Sequence, residues 1–463
     1  MDNYDVIVLG AGPAGETAAG RAAGHGLSVA IVERELVGGE CSYWGCMPSK
    51  TLLRPGDVIA AARRVPGAAA AVTGSIDVAA ALSRRDWMVS DYDDNGQLPW
   101  LADNTIDLVR GHARLAGERT VDVSTADGDV RRLTAAKAVV LATGTVPFVP
   151  PVTGLAEAKP WDNRTATGAK EVPRRLLVLG GGAIGVEMAQ AFRRLGSDDV
   201  TVVEGSERLL AREEPFAGDE VRQAFEAEDI RVRTGTTLTE VRRPGATAPV
   251  TAVLGDGTEI EADELLVAVG RRPRTSDLGL DTVGLEQGRP VDVDDRLRAV
   301  GVSGDWLYAV GDVNGRALLT HMGKYQGRIA GDVIAGKDAT DRASRDVIPR
   351  VTFTDPQVCA VGLTQAQARE RYAEIRTVRY GTGEVAGAST QGEHIAGTSF
   401  LVVDAARDVL VGATFTGPQV AELLHSATVA IAGEVDLPTL WHAVPSFPTV
   451  SEVWLRLLEA YGL

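Results

Sequence analysis

Three cysteines in 463 residues are too few for a disulfide scaffold, so any bridge that forms must have another purpose. Basic charge is also short. Lys and Arg number 47 against 63 Asp and Glu, a formal charge of −16, which works against nucleic acid and anionic membranes because both need a basic face. No apolar run approaches the roughly 18 residues of a membrane span, and Met1-Asp2-Asn3-Tyr4-Asp5 has the wrong charge for the basic start of a secretory signal. These absences lead us to expect a cytoplasmic protein with neither a nucleic-acid nor a membrane partner. Low-complexity tracts are missing too, apart from an alanine run at 68–71 that is expected to be helical.

What is present fits a folded enzyme. Apolar residues make up 44% and charged residues 24%, ordinary globular values, and the length predicts roughly three domains of about 150 residues each. Asp5-Val6-Ile7-Val8-Leu9 reads as a buried strand leading into Gly10-Ala11-Gly12-Pro13-Ala14-Gly15, followed by an Ala-rich helix and a second strand, Leu27 onward, ending at Glu33. The same βαβ grammar returns at Arg175-Leu176-Leu177-Val178-Leu179, Gly180-Gly181-Gly182-Ala183-Ile184-Gly185, a helix to about Leu195 and a strand ending at Glu204.

The glycines have steric reasons. Gly10 and Gly180 make the turn, Gly12 and Gly182 let backbone approach a pyrophosphate, and Gly15 and Gly185 let helix and strand pack closely. Each helix then offers unpaired N–H groups and a positive dipole end to an anion. Glu33 and Glu204, 23 and 24 residues after the first glycine of their units, are placed to bind a ribose diol. Two such units imply two nucleotide-binding domains. Leu307-Tyr308-Ala309-Val310-Gly311-Asp312 reads as a return to the first of them, and from about Asp346 strands such as Arg350-Val351-Thr352-Phe353 and Ser399-Phe400-Leu401-Val402-Val403, mixed with a helix over 419–432, suggest a separate α+β domain.

Two of the three cysteines fall in Gly38-Gly39-Glu40-Cys41-Ser42-Tyr43-Trp44-Gly45-Cys46-Met47-Pro48-Ser49-Lys50, close behind the first nucleotide fingerprint. In a reducing compartment a cycling bridge points to catalysis, so Cys41 and Cys46 are the candidate redox pair. A zinc site needs four ligands and no second pair exists. Residues five apart in an ideal helix are about 7.5 Å apart along the axis, beyond the Cα separation of about 4.4 to 6.8 Å that a disulfide tolerates. The helix must therefore be distorted between them, with Gly45 as the relief point. A helix N-terminus, and Lys50 one turn after Cys46, would lower the thiol pKa.

These motifs together resemble the class I pyridine nucleotide-disulfide oxidoreductases, the family of dihydrolipoamide dehydrogenase, glutathione reductase and mercuric reductase. The likeness also runs through Ala142-Thr143-Gly144-Thr145-Val146-Pro147, Gly270-Arg271-Arg272-Pro273, Gly311-Asp312-Val313 and Phe353-Thr354-Asp355-Pro356-Gln357-Val358. It implies an α/β fold: an FAD domain in two segments, 1–152 and 276–345, an inserted NAD(P) domain at 153–275, and a C-terminal dimerisation domain at 346–463. By resemblance, FAD is held by Gly10, Gly12, Gly15, Glu33, Thr143, Gly144 and Asp312, and a helix starting near Thr320 and His321 points at the flavin pyrimidine. His321 acts either through its side chain or only through its backbone. The second nucleotide engages Gly180, Gly182, Gly185, Glu204 and Gly270; an acid at Glu204 favours NADH over NADPH, although Arg208 and Arg212 follow it.

In the same way the resemblance makes Cys46 the sulfur beside the flavin, Cys41 the thiol that meets substrate, and Lys50 with Glu187 an ion pair beside the ring. It also implies a homodimer whose active site is shared between subunits. One departure stands out. The family's His-Pro-Thr string, whose His from the partner subunit moves the thiol proton and is held by a Glu five residues later, aligns with Phe447-Pro448-Thr449 and Glu452. Phenylalanine moves no proton, so His442 is either a substitute or an interface residue. Cys359, in Val358-Cys359-Ala360-Val361, reads as a small buried hydrophobe, and the mercuric reductases' C-terminal cysteine pair has no counterpart in Glu459-Ala460-Tyr461-Gly462-Leu463. The expected activity is transfer of electrons from NADH through FAD and Cys41–Cys46 to a disulfide or thiol-reactive small molecule. Alternatives are a non-disulfide acceptor such as a quinone, a metal ion or a dye, and, last, a nucleotide-bound interaction protein without catalysis. Tyr43, Trp44 and the aromatic-rich stretch 87–100 either shape the acceptor pocket or pack in the core.

Overall fold

The computed structural model describes residues 2–245 and 248–463. It resolves into two compact units. The first gathers residues 2–48, Asp86–Phe148 and Gly270–Arg345. Its sheet runs in the order Ile106–Arg110, Val29–Glu33, Asp2–Leu9, Val130–Leu141, Thr120–Ser124, His112–Leu115, with Leu307–Ala309 also pairing with Val130–Leu141. The strands beside Asp2–Leu9 are parallel to it, Ile7 opposite Ala30 and Val139. Parallel pairing requires a crossover, which is the helix Pro13–Gly24. Val6 to Leu9 are fully buried, as a strand covered on both faces must be. Helix Thr320–Ile334 lies against Pro13–Gly24, and the two backbones meet closely enough that a Cβ at Gly327 would sit 2.6 Å from the Ala14 carbonyl oxygen.

Where one distorted helix was expected around the cysteines, the chain forms two: Gly39–Tyr43, then a break at Trp44, whose φ is −134° and ψ 5°, then Cys46–Arg64. Farther on, Ser90, Asp91 and Tyr92 are consecutive non-glycine residues with φ of 51°, 52° and 60°. Left-handed backbone costs an L-residue roughly 1–2 kcal/mol, so this single turn must be held by contacts elsewhere.

The second unit gathers Ser49–Arg85, Val149–Val269 and Asp346–Leu463. Its parallel sheet, Ile230–Arg233, Asp199–Val203, Arg175–Leu179, Glu264–Val267, repeats the nucleotide-binding grammar around helix Ala183–Leu195. A three-stranded antiparallel sheet of Leu238–Arg242, Val250–Leu254 and Glu259–Ala262 accompanies it. The C-terminal part is a five-stranded antiparallel sheet, Arg350–Thr352, Gln357–Gly362, Val409–Gly417, Thr398–Asp404, Ile375–Gly381. Helices Leu424–Ala432 and Glu452–Tyr461 cover it, closing a core around Phe415, Leu401 and Leu457. Residues 419–432, expected as one helix, begin as the short turn Val420–Leu423, and only Ala69–Ala71 of the alanine run is helical, as a single turn.

The two compact units are a different grouping from the expected domain segments 1–152, 153–275 and 276–345, with breaks after residues 48, 85, 148, 269 and 345. Residues 49–85 group with the second unit because Leu52 and Leu53 are buried in the core that holds Phe192 and Leu195. Gly270 onward groups with the first, where Arg271–Pro273 pairs antiparallel with Thr145–Pro147.

Candidate active site

Within the first fingerprint the glycines divide by what a side chain would meet. A Cβ at Gly10, where φ is +103°, would lie 2.6 Å from the Ala142 oxygen, and one at Gly15 1.9 Å from the Gly10 oxygen. Gly12 differs: the nearest atom to its Cβ position is Gly39 Cα at 4.0 Å. That open space lies at the head of Pro13–Gly24, whose N-terminus has no side-chain cap. Glu33 accepts the Ala11 N–H on Oε2 at 2.8 Å and the Glu35 N–H on Oε1 at 2.7 Å. Both carboxylate oxygens are thereby fixed, each with a lone pair left for a diol.

The second unit repeats this arrangement. Cβ atoms at Gly180 and Gly185 would meet backbone at 2.5 and 1.9 Å, while one at Gly182 would meet nothing within 4 Å. Glu204 accepts from Gly181 N at 2.6 Å and Ser206 N at 2.7 Å. Arg208 turns its guanidinium onto the carbonyls of Ala211 and Glu213.

In the first unit, Cys41 Sγ lies 2.7 Å from Cys46 Sγ, and Cys46 Sγ is 3.3 Å from the hydroxyl of Thr320. The break between the two helices makes this possible, and a Cβ at Gly45 would come within 3.1 Å of the Glu40 oxygen and 3.3 Å of Cys41 Cα. Cys46 heads the helix Cys46–Arg64, where the dipole favours negative charge. For Cys41 the expected lowering of the thiol pKa is reversed: its hydrogen bond to the Cys46 sulfur, then burial, push it up.

Thr320 is the first residue of Thr320–Ile334, preceded by Leu319, which offers no side-chain cap; His321, the next residue, is exposed. Thr143 donates its hydroxyl to the Arg274 oxygen, and Gly144, at φ +68°, accepts from Arg274 N. Gly270, at φ +139°, has open space at its Cβ position. Half-buried Asp312 accepts from the Thr145 hydroxyl at 3.0 Å, and desolvation raises its pKa against that hydrogen bond. A polar chain that the sequence did not disclose continues from there: Arg271 donates Nε to Thr145 Oγ1 at 2.7 Å and a second nitrogen to Glu40 at 3.1 Å. It ties the residue before Cys41 to Asp312, and nothing in the spacing of residues 231 apart announces it.

In the second unit, Lys50 Nζ pairs with buried Glu187 at 2.7 Å and lies 4.8 Å over the Phe353 ring, while the other Glu187 oxygen accepts the Phe353 N–H at 3.0 Å. The C-terminal residues do not assemble as a pair. His442 ends the short helix Leu437–Trp441 at the surface, whereas Glu452 is buried, one oxygen on Arg456 at 2.8 Å and Oε2 without a partner among the described residues. Phe447 is 75% exposed and Val444 84%. Cys359 is fully buried and donates to the Val420 oxygen at 3.2 Å; burial raises its pKa.

The matches to known proteins follow this geometry. A family model described as pyridine nucleotide-disulphide oxidoreductase covers residues 4–327, and the model of that family's dimerisation domain covers 348–457. The chain belongs to this family. It is a flavin-dependent disulphide oxidoreductase of a group that binds FAD and NAD(P)H, and the dimerisation domain implies a homodimer. Among curated relatives, a dihydrolipoyl dehydrogenase of Thermus scotoductus is 34% identical over 99% of this chain and 98% of its own length. A mercuric reductase of Lysinibacillus sphaericus is 31% identical over 97% of this chain and 81% of its own. Among solved structures, the Cu(II) complex of the HOCl-induced flavoprotein disulfide reductase RclA from Escherichia coli superposes with a TM-score of 0.86 at 25% identity, covering 99% of both chains. No helix of the described residues is long and apolar enough to cross a membrane.

The first fingerprint fits FAD. The space beside Gly12, the uncapped helix end, the oriented Glu33 carboxylate and the half-buried acid Asp312 are the groups a dinucleotide requires.

Proposed function

We propose that this protein is an NADH-dependent FAD oxidoreductase in which Cys41 and Cys46 alternate between disulfide and dithiol, and that Cys41 passes the electron pair to a thiol-reactive acceptor. The observation that carries this reading is the meeting of the two sulfurs at 2.7 Å across a helix break. Gly10, Gly12, Gly15, Glu33, Thr143, Gly144 and Asp312 would hold FAD, with the N-terminus at Thr320 and His321 toward its pyrimidine. Gly180, Gly182, Gly185, Glu204 and Gly270 would hold the nicotinamide dinucleotide. Bound FAD supplies two-electron exchange between a nicotinamide and a sulfur.

The protein's own groups handle the protons and the charge. Reducing the bridge takes two electrons and two protons and leaves two thiols. Cys46, at a helix N-terminus and beside the Thr320 hydroxyl, is suited to carry negative charge, while Cys41, the interchange thiol by resemblance to the family, would meet the acceptor. Lys50, fixed by Glu187, offers positive charge one helical turn beyond Cys46. The fixed Glu204 carboxylate would accept a ribose 2′-hydroxyl and repel a 2′-phosphate; this supports NADH.

A second reading concerns the acceptor. A disulfide substrate needs a proton for its departing thiolate, and losing a positioned acid typically costs about 10²- to 10⁴-fold. Phe447 stands at the acid's position, Glu452 Oε2 has no partner among the described residues, and His442 ends a surface helix. These support an acceptor with no thiolate leaving group to protonate: a thiophilic metal ion, a quinone or a dye. The test is alkylation of the FAD-loaded protein before and after anaerobic NADH, beside a steady-state screen of disulfides, quinones and metal ions. Two additional reactive thiols per chain are expected. NADH consumption without a gain in thiols would refute the role of the pair. Cys41→Ser is expected to abolish disulfide reduction and spare dye reduction, and equal loss of both would refute the division of labour.

A further inference from the structure

Tyr92 occupies an unfavourable backbone region at the end of three consecutive left-handed residues, a pattern that persists only where surrounding contacts over-determine it and that gathers at functional sites. Its ring stacks on Trp44, with centroids 6.2 Å apart and planes 28° apart. Trp44 is the residue at which the helix carrying Cys41 ends and after which the one carrying Cys46 begins. Tyr43 also leans on the Trp44 ring at 5.6 Å, and the Tyr43 hydroxyl donates to the Val37 oxygen at 2.9 Å. The Val37 N–H in turn donates to Asp94 Oδ2 at 2.7 Å, two residues beyond Tyr92, and Arg110 holds the same carboxylate at 2.6 Å. The stretch 90–94 thus grips the cysteine loop twice, through the ring of Tyr92 and through the carboxylate of Asp94.

We infer that Tyr92 is a positioning residue: its left-handed turn presses the ring on Trp44, which fixes the helix break and so keeps the Cys41 and Cys46 sulfurs opposed. The inference rests on the pair being redox-active. A dithiol held face to face has a high effective concentration of one sulfur for the other, which favours the disulfide and makes the couple harder to reduce. Releasing Trp44 lets the sulfurs separate in the reduced state. The bridge, two electrons and two protons away from the dithiol, then becomes the weaker partner in exchange.

The experiment uses the full-length, FAD-loaded protein equilibrated with mixtures of reduced and oxidised dithiothreitol, the fraction of bridged chains being read by gel shift with a maleimide polymer after denaturation. Tyr92→Ala is expected to lower the exchange constant for bridge formation about tenfold, an upward shift of about 30 mV in midpoint. Tyr92→Phe keeps the stack and restores the wild-type midpoint. Trp44→Leu should shift it as Tyr92→Ala does, and the double variant no further, since both act through one contact. An unchanged midpoint in folded Tyr92→Ala, a Tyr92→Phe shift as large as that of Tyr92→Ala, or additive shifts in the double variant would each overturn the inference. Should Tyr92→Ala fail to fold, Trp44→Leu against Tyr92→Phe decides the same question. A wild-type pair that never bridges in the titration would instead sink the redox reading itself.

Discussion

Replacing Gly182 by alanine separates binding from folding. The residue has φ −78° and ψ 178°, which alanine adopts without strain, and its added methyl would touch nothing within 4 Å. Alanine is a poorer helix cap than glycine, but it restricts the unfolded chain by about 0.4–1 kcal/mol, so the net change in stability should stay within about 1 kcal/mol. The methyl does fill the space through which a pyrophosphate would reach the helix N-terminus. Losing one charge-assisted hydrogen bond is worth about 1.5–3 kcal/mol, or about 10- to 150-fold in affinity. Gly182→Ala is therefore expected to raise KM for NADH by that factor while FAD content and melting temperature hold. Gly185→Ala, whose Cβ would sit 1.9 Å from the Gly180 oxygen, should instead damage the fold. Steady-state kinetics, flavin absorbance and thermal unfolding read the three quantities. An unchanged KM for NADH, or loss of FAD in step with it, would refute the assignment of the second fingerprint.

Three further outcomes are expected. Phe447→His should raise turnover of lipoamide or glutathione disulfide, by up to about 10²- to 10⁴-fold if the missing acid is the whole deficit; an unchanged rate would show that proton transfer is not the limit. Glu204→Ala should lower the ratio of kcat/KM for NADH over NADPH at least about tenfold, because it removes both the diol acceptor and the repulsion of a 2′-phosphate; a constant ratio would place selectivity elsewhere. Glu16, in the first turn of Pro13–Gly24, has its pKa raised to about 7, chiefly by burial, with Lys324 opposing and Glu33 adding to the rise. The folded state thus favours the protonated acid, so its contribution is full below about pH 4 and is lost as pH climbs through about 7. The loss is about 3 kcal/mol at most. Denaturant unfolding at about pH 5 and about pH 8 should show Glu16→Gln flattening that fall, and an identical pH slope in the variant would contradict the sign.

Most of the nucleotide architecture was legible because glycine spacing and apolar strand runs are local, and local sterics decide them. Gly10, Gly15, Gly180 and Gly185 are required by approaches of 1.9 to 2.6 Å to backbone, which is why the string alone carried the fold. The distortion between Cys41 and Cys46 also followed from axial rise, though the outcome is a break into two helices rather than one bent one. The Glu40–Arg271–Thr145–Asp312 chain was not legible, since each link joins distant segments by side chains common on any surface. Ser90 to Tyr92 were not legible for another reason: serine and tyrosine give no signal of positive φ, and the turn is held by tertiary contacts such as the Tyr92 ring on Trp44. The regrouping of residues 49–85 likewise turns on Leu52 and Leu53 choosing a core, which periodicity does not reveal.

Cys359 gives the molecule a concealed reporter. Sealed between the strands of the five-stranded sheet and fully shielded from solvent, it is silent to a maleimide while the native state persists, so stoichiometric labelling of intact protein registers Cys41 and Cys46 alone. A third equivalent of label becomes available only when that sheet opens, and its rate of appearance times the unravelling of the C-terminal region without any engineered probe.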